Sequence, residues 1–311
     1  MARTFIIWCF CLAALLVFMV GGRQSPIVNL FAISLTPLPV YLAGRRLGNL
    51  AALLLALAVS LLVFSLKPGL ATMGEYLGFA ELLLMGLLLS GLESRGYSAD
   101  RAIIITVVAL AALGVVFLSG QAYLAGMTPR EMLSRKTLEI TGMLTGVFSN
   151  GDTASRLEVL GVPLEKLKHL IQYLLPALVI TNTGLVAWIN VLLGRQVLVL
   201  LDWGKPEPPL NHWSTPEWLI FMVLAAGFLL LVPVSLVRLV SANVLVVLAL
   251  FYFCQGVAVI ATWLLRYRVP RPFRCCGYLI MFMHPLFLLA IIIGLADIWI
   301  DFRRLHQAVD A

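Results

Sequence analysis

The chain has 311 residues, of which 61% are hydrophobic and only 12% charged, with a mean hydropathy of +1.01. That balance excludes a water-soluble globule, which needs far more polar surface, and points to a bilayer. The net charge of +7 gathers in short loops between apolar runs, where it meets anionic head groups. No basic surface with interleaved aromatics stands apart to take nucleic acid.

The expected fold is all-α, a polytopic transmembrane helix bundle. Apolar segments of membrane-crossing length recur at Thr4–Val20, Ile27–Gly44, Leu47–Leu66, Leu70–Leu92 and Ala102–Ser119, then at Leu170–Gly194, Trp218–Val237, Asn243–Leu265 and Phe273–Ala296. This gives about nine spans; eight, with one of the first three merged or re-entrant, is the alternative. The first run follows Arg3 as a signal peptide would, but no small-residue cleavage site follows and another span begins at once, so it is retained as a transmembrane helix. Pro37 and Pro39 predict an irregular C-terminal half of the second span. Small residues repeat every fourth position at Ala52, Ala56 and Ser60, and along one stripe at Gly74, Gly78, Gly86 and Ser90, so that helices can approach closely.

The polar stretch from 120 to 169 divides an N-terminal five-span half, 1–119, from a C-terminal four-span half, 170–311. Thr128-Pro-Arg-Glu131 predicts a capped helix start, and Met132, Leu133, Ile140, Leu144 and Val147 continue it at helical spacing until Ser149-Asn-Gly-Asp152 stops it. A short helix follows around Ser155–Leu160, and Pro163 starts a long helix that runs into the sixth span.

Glu81, Asn182, Gln255 and His284 all fall near mid-membrane. Polar groups at that depth either converge on a ligand-binding cavity or hold helices together by hydrogen bonds. Gln255 and His284 lie at equal depth, about 15 Å from the turn Arg266–Arg274, and so predict a hydrogen-bonded pair on neighbouring helices. Arg266, Arg268, Arg271 and Arg274 in that turn, with Asp297, Asp301 and Arg303 in the tail, are candidate lipid or partner contacts. Asp297, Asp301 and Arg304 share a helix face. Carboxylates at a helix C-terminus oppose its dipole and predict compensation by Arg303, Arg304 or a cation from elsewhere. The basic turn and the tail are separated by one predicted span, so no single topology places both on the cytoplasmic side.

Cys9, Cys11, Cys254, Cys275 and Cys276 follow no disulfide framework, and Cys275-Cys276 is too far along its helix from His284 to share a metal ion. No phosphate-binding loop, nucleophile elbow or zinc-protease motif occurs. The expectation is therefore a non-enzymatic membrane protein without cofactor or metal, which binds a small ligand or lipid in a polar cavity, as a transporter subunit. The rival is a scaffold that recruits cell-envelope or ribosome-associated partners through the 120–169 loop and the tail.

Leu35-Thr-Pro-Leu-Pro-Val40 with Gly44-Arg-Arg46, then Gln255-Gly256, then Gly294-Leu-Ala-Asp297 with Asp301-Phe-Arg303, stand in the order in which this chain resembles the YybS-like bacterial membrane family, domain of unknown function 2232. The resemblance implies a multi-pass protein of the bacterial inner membrane. The N-terminal half is similar to the substrate-binding S-components of energy-coupling-factor transporters and to MreD; S-components have about six spans, and this chain is longer.

Overall fold

In the computed structural model the described residues are 32–66, 73–148, 164–203, 213–282 and 285–303. Their elements are all helices: α1 Pro37–Leu47, α2 Asn49–Leu66, α3 Met73–Ser94, α4 Ala99–Leu124, α5 Pro129–Phe148, α6 Leu164–Leu200, α7 Leu219–Leu229, α8 Ser235–Arg266, α9 Arg271–Met281 and α10 Leu286–Ile300. Among the described residues, four stretches are long and apolar enough to cross a membrane: Tyr76–Ser94, Ala99–Leu124, Lys168–Leu200 and Ser235–Arg266. Asn49–Leu62, Leu219–Leu229 and Leu286–Ile300 are apolar but shorter. The chain is thus a multi-pass helical membrane protein. The first predicted span and the Ser155–Leu160 helix lie outside the described residues.

Packing divides the chain into two units, Met1–Val116 with Asn182–Glu207, and Phe117–Thr181 with Pro208–Ala311. The sequence division follows chain order; packing instead takes the end of α6 into the first unit.

Within the first unit, α1 is the central element. Its two prolines do not disrupt it. They occupy the first turn, where an N–H has no intrahelical acceptor to lose, and the break falls just before them at Leu35–Thr36. Pro37, Pro39 and Val40 through Gly44 are all buried. Three glycines admit α1 to its neighbours: Gly44 faces Ser90 of α3, Gly86 of α3 faces the Pro37 carbonyl, and Gly194 of α6 faces the Tyr41 ring, with no room for a Cβ at any of them. The stripe read from the sequence is used at Gly86 and Ser90, whereas a side chain at Gly78 would meet nothing within 4 Å.

In the second unit, Thr128 and Glu131 form the expected capping box at the start of α5: the Thr128 amide donates to the Glu131 carboxylate at 2.9 Å and the Glu131 amide to the Thr128 hydroxyl at 3.3 Å. The α6 helix carries Pro176 in its interior. Proline distorts the local ladder, and the Asn243 side chain of α8 fills the gap. Its Oδ1 accepts from the Ala177 amide at 3.0 Å, and its Nδ2 donates to the Tyr173 carbonyl at 3.0 Å. A side-chain amide thus bridges the Ala177 amide and the Tyr173 carbonyl, an i to i−4 pair beside the proline.

The seventh and ninth predicted spans are corrected. The seventh is the 11-residue α7, followed by a break at 230–234 around Pro233. The ninth is a helical hairpin. Gly277 of α9 packs on Leu264, near the end of α8, so closely that a Cβ there would lie 3.4 Å from the leucine side chain. Phe282 then lies 5.3 Å from the Phe253 ring, about 16 Å back along α8. From there α10 returns: Phe287 is 4.7 Å from Phe253, Ala290 and Gly294 meet Gly256 and Tyr252 in backbone contact, and Phe302 is 5.4 Å from Trp263. Hence α9 runs against α8 and α10 runs with it. Their 11 and 15 residues fall short of the roughly 20 needed to cross a bilayer. Pro285 precedes the second arm and prevents the two from joining as one helix. The conflict over orientation thereby disappears, because Arg266–Arg274 and Arg303 lie at the same end of α8.

Candidate functional site

Among the described residues, each unit buries one carboxylate against arginine. In the first, Glu93 sits at the end of α3 with its side chain 2% exposed. Its Oε1 accepts from Arg195 Nε at 3.2 Å and Nη2 at 2.7 Å, while Oε2 accepts from the Tyr41 hydroxyl and lies 3.6 Å from Arg45 Nε. Both oxygens are occupied. Sequence reasoning missed this centre; the available signal was Arg195, a charge inside the continuing apolar run of α6, which requires a buried counter-charge.

The second centre is built around a stretch of backbone that is not helical. Residues 213–216 have no regular structure, yet Thr215 is buried against Gln255, which lies about 16 Å back from the end of α8. At such depth backbone groups need protein partners. Gln255 Oε1 accepts from the Thr215 amide at 3.1 Å and from its hydroxyl, and Arg303 Nη1 donates to the Trp213 carbonyl at 2.6 Å. Asp297 links these two side chains: its Oδ2 accepts from Gln255 Nε2 at 3.0 Å and from Arg303 Nε and Nη2 at 3.0 and 2.7 Å.

Local sequence explains the assembly. Gly256 and Gly294, lacking Cβ atoms, bring α8 and α10 into backbone contact, and Gln255 and Asp297 flank that contact on the two helices. Arg303 supplies the compensation expected for a carboxylate in the last turn of α10. The pair is almost completely buried, with side chains 1% and 3% exposed. All the donors converge on Oδ2. Oδ1 is buried and has no hydrogen-bond partner among the described residues.

The predicted site residues do not form one described group. Gln255 is buried, but its partners are Thr215 and Asp297. Glu81 and Asn182 lie on exposed faces of α3 and α6 in the first unit. Helical phase explains this: the apolar spans are nearly uniform around their circumference, so depth was readable but direction was not. His284 lies outside the described residues. Among the proposed lipid or partner contacts, Asp297 and Arg303 turn inward to each other, a correction that follows from the cost of leaving either charge unpaired in an apolar bundle. Asp301 closes α10 in a left-handed conformation, φ 43°, its amide donating to the Asp297 carbonyl at 3.0 Å. Arg266 and Arg268 are exposed and Arg274 is half-buried; the Arg271 side chain is not among those described. No group of three or more His, Cys, Asp or Glu placed to hold a metal occurs among the described residues.

No curated protein and no solved structure matches the chain. Residues 11–298 match the family described as predicted membrane protein (DUF2232). With nearly its whole length covered and its described elements all helical, the chain belongs to this membrane protein family.

Proposed function

We propose that this chain is a non-enzymatic protein of the bacterial inner membrane that binds a small polar ligand at the Asp297 centre and serves as the binding subunit of a transport system. The observation that carries this reading is Asp297 Oδ1, a buried carboxylate oxygen with no described donor beside an otherwise satisfied network. A carboxylate oxygen accepts only, so the ligand group that meets it is a hydrogen-bond donor. A re-entrant hairpin packed beside unwound backbone also suits binding, because irregular chain at membrane depth is tolerated where it lines a cavity or is enclosed by protein. The scaffold alternative is weakened, since Asp297 and Arg303 of its recruiting tail face inward.

The test is native mass spectrometry of protein gently extracted from its own membrane. The wild type is expected to carry a small-molecule adduct that Asp297→Asn loses and Glu81→Gln, on an exposed face, retains. An adduct equally abundant in folded Asp297→Asn, or a wild type that carries lipid alone, rejects the reading.

A further inference from the structure

We propose that the turn between α8 and α9 binds the phosphate of an anionic phospholipid. Arg266 and Arg268 are exposed there, and Arg274 is half-buried. The Arg274 Nε is itself buried and has no hydrogen-bond acceptor among the described residues. A guanidinium N–H held out of water without an acceptor is costly, and a phosphate oxygen meets that need.

Asp301, at the same end of α8, sets one carboxylate against these three arginines. The sequence contains no Asp or Glu from Trp218 through Ala296, and none of these three arginines enters an ion pair among the described residues. The hairpin brings Asp297 and Arg303 to the same end of α8, but those two neutralise each other. A surplus of positive charge therefore remains at the end of a membrane-length helix.

The surroundings select a lipid over a free phosphate. Tyr267 and Phe273 flank the arginines at 78% and 68% exposure, aromatic rings of the kind that settle at head-group level. Near the end of α9, Ile280 is exposed and apolar, a surface for an acyl chain below the phosphate. The Arg268 backbone is left-handed, φ 52°, which directs the chain sharply from α8 into α9 and keeps the arginines together.

The experiment uses full-length protein in mild detergent, titrated with phosphatidylglycerol or phosphatidylcholine and read by native mass spectrometry. Phosphatidylglycerol is expected to bind more tightly, and Arg266→Gln/Arg268→Gln/Arg274→Gln to weaken it about a hundredfold, since each arginine near an anionic surface contributes a factor of about five. Arg274→Lys keeps the charge but not the Nε–H and is expected to lose part of the preference while the helical circular dichroism stays unchanged. Equal binding of the two lipids, a preference that survives the triple substitution, or displacement of phosphatidylglycerol by inorganic phosphate at the same concentration overturns the proposal.

Discussion

The two buried carboxylates solve one electrostatic problem differently. Glu93 is surrounded: two arginines and a tyrosine occupy both of its oxygens, and the helices that supply them meet through glycines. Among the described residues Asp297 is served on one oxygen, by an arginine whose Nε and Nη2 both fall on Oδ2 and by a glutamine that also holds non-helical backbone. A charge centre closed on every side ties helices together. One whose second oxygen meets no donor among the described residues retains the capacity to take a further donor, and that is why the proposed binding role falls to the second unit.

Removing each charge breaks the comparison most strongly. Glu93→Gln removes the carboxylate that two half-buried arginines and a tyrosine share and is expected to cost about 3–5 kcal/mol, measured as a lower unfolding midpoint in detergent. Asp297→Asn removes the carboxylate from one arginine and is expected to cost less. If the two variants melt together, or the order reverses, the distinction between a closed and a half-open centre fails.

Asn243 provides an intermediate case, a polar side chain whose role is backbone repair. Asn243→Leu withdraws an acceptor from the Ala177 amide and a donor from the Tyr173 carbonyl beside Pro176 and is expected to cost about 1–3 kcal/mol. In a Pro176→Ala background the Ala177 amide closes onto the Tyr173 carbonyl, and the same substitution should then cost much less. Additive losses in this double-mutant cycle would show that Asn243 does something other than fill the proline gap.

The smallest effect concerns a carboxylate in water. Glu131 is held below the ordinary glutamate value of 4.5 by the Thr128 amide and then by the Thr128 hydroxyl. Because its folded pKa is the lower one, its contribution to the start of α5 is complete above the ordinary value and is lost as pH falls through the folded value. Amide exchange of Met132 and its neighbours should accelerate over that acidic window, and Glu131→Gln should flatten the dependence.

Much of this protein is written in its order of residues. The apolar runs require a membrane, because no water-soluble shell is available to cover them, and Thr128-Pro-Arg-Glu131 specifies a helix start through contacts three residues apart. Gln255 was identifiable as a polar group in a costly place, and Arg303 as one of the cations able to compensate the acidic end of the last helix. Direction was not legible: a uniformly apolar helix has no preferred face, so Glu81 and Asn182 read as inward as Gln255 does.

What tertiary structure alone decided is which distant groups meet. Glu93 with Tyr41, Arg45 and Arg195, and the amide of Asn243 with the broken ladder at Pro176, depend on helix pairings that hydropathy does not encode. The last apolar run has the length of a span but folds as a hairpin, because Pro285 interrupts it and Gly256 and Gly294 let its second arm lie against α8. Composition fixes the solvent of a segment; close backbone contact at a few glycines fixes its path.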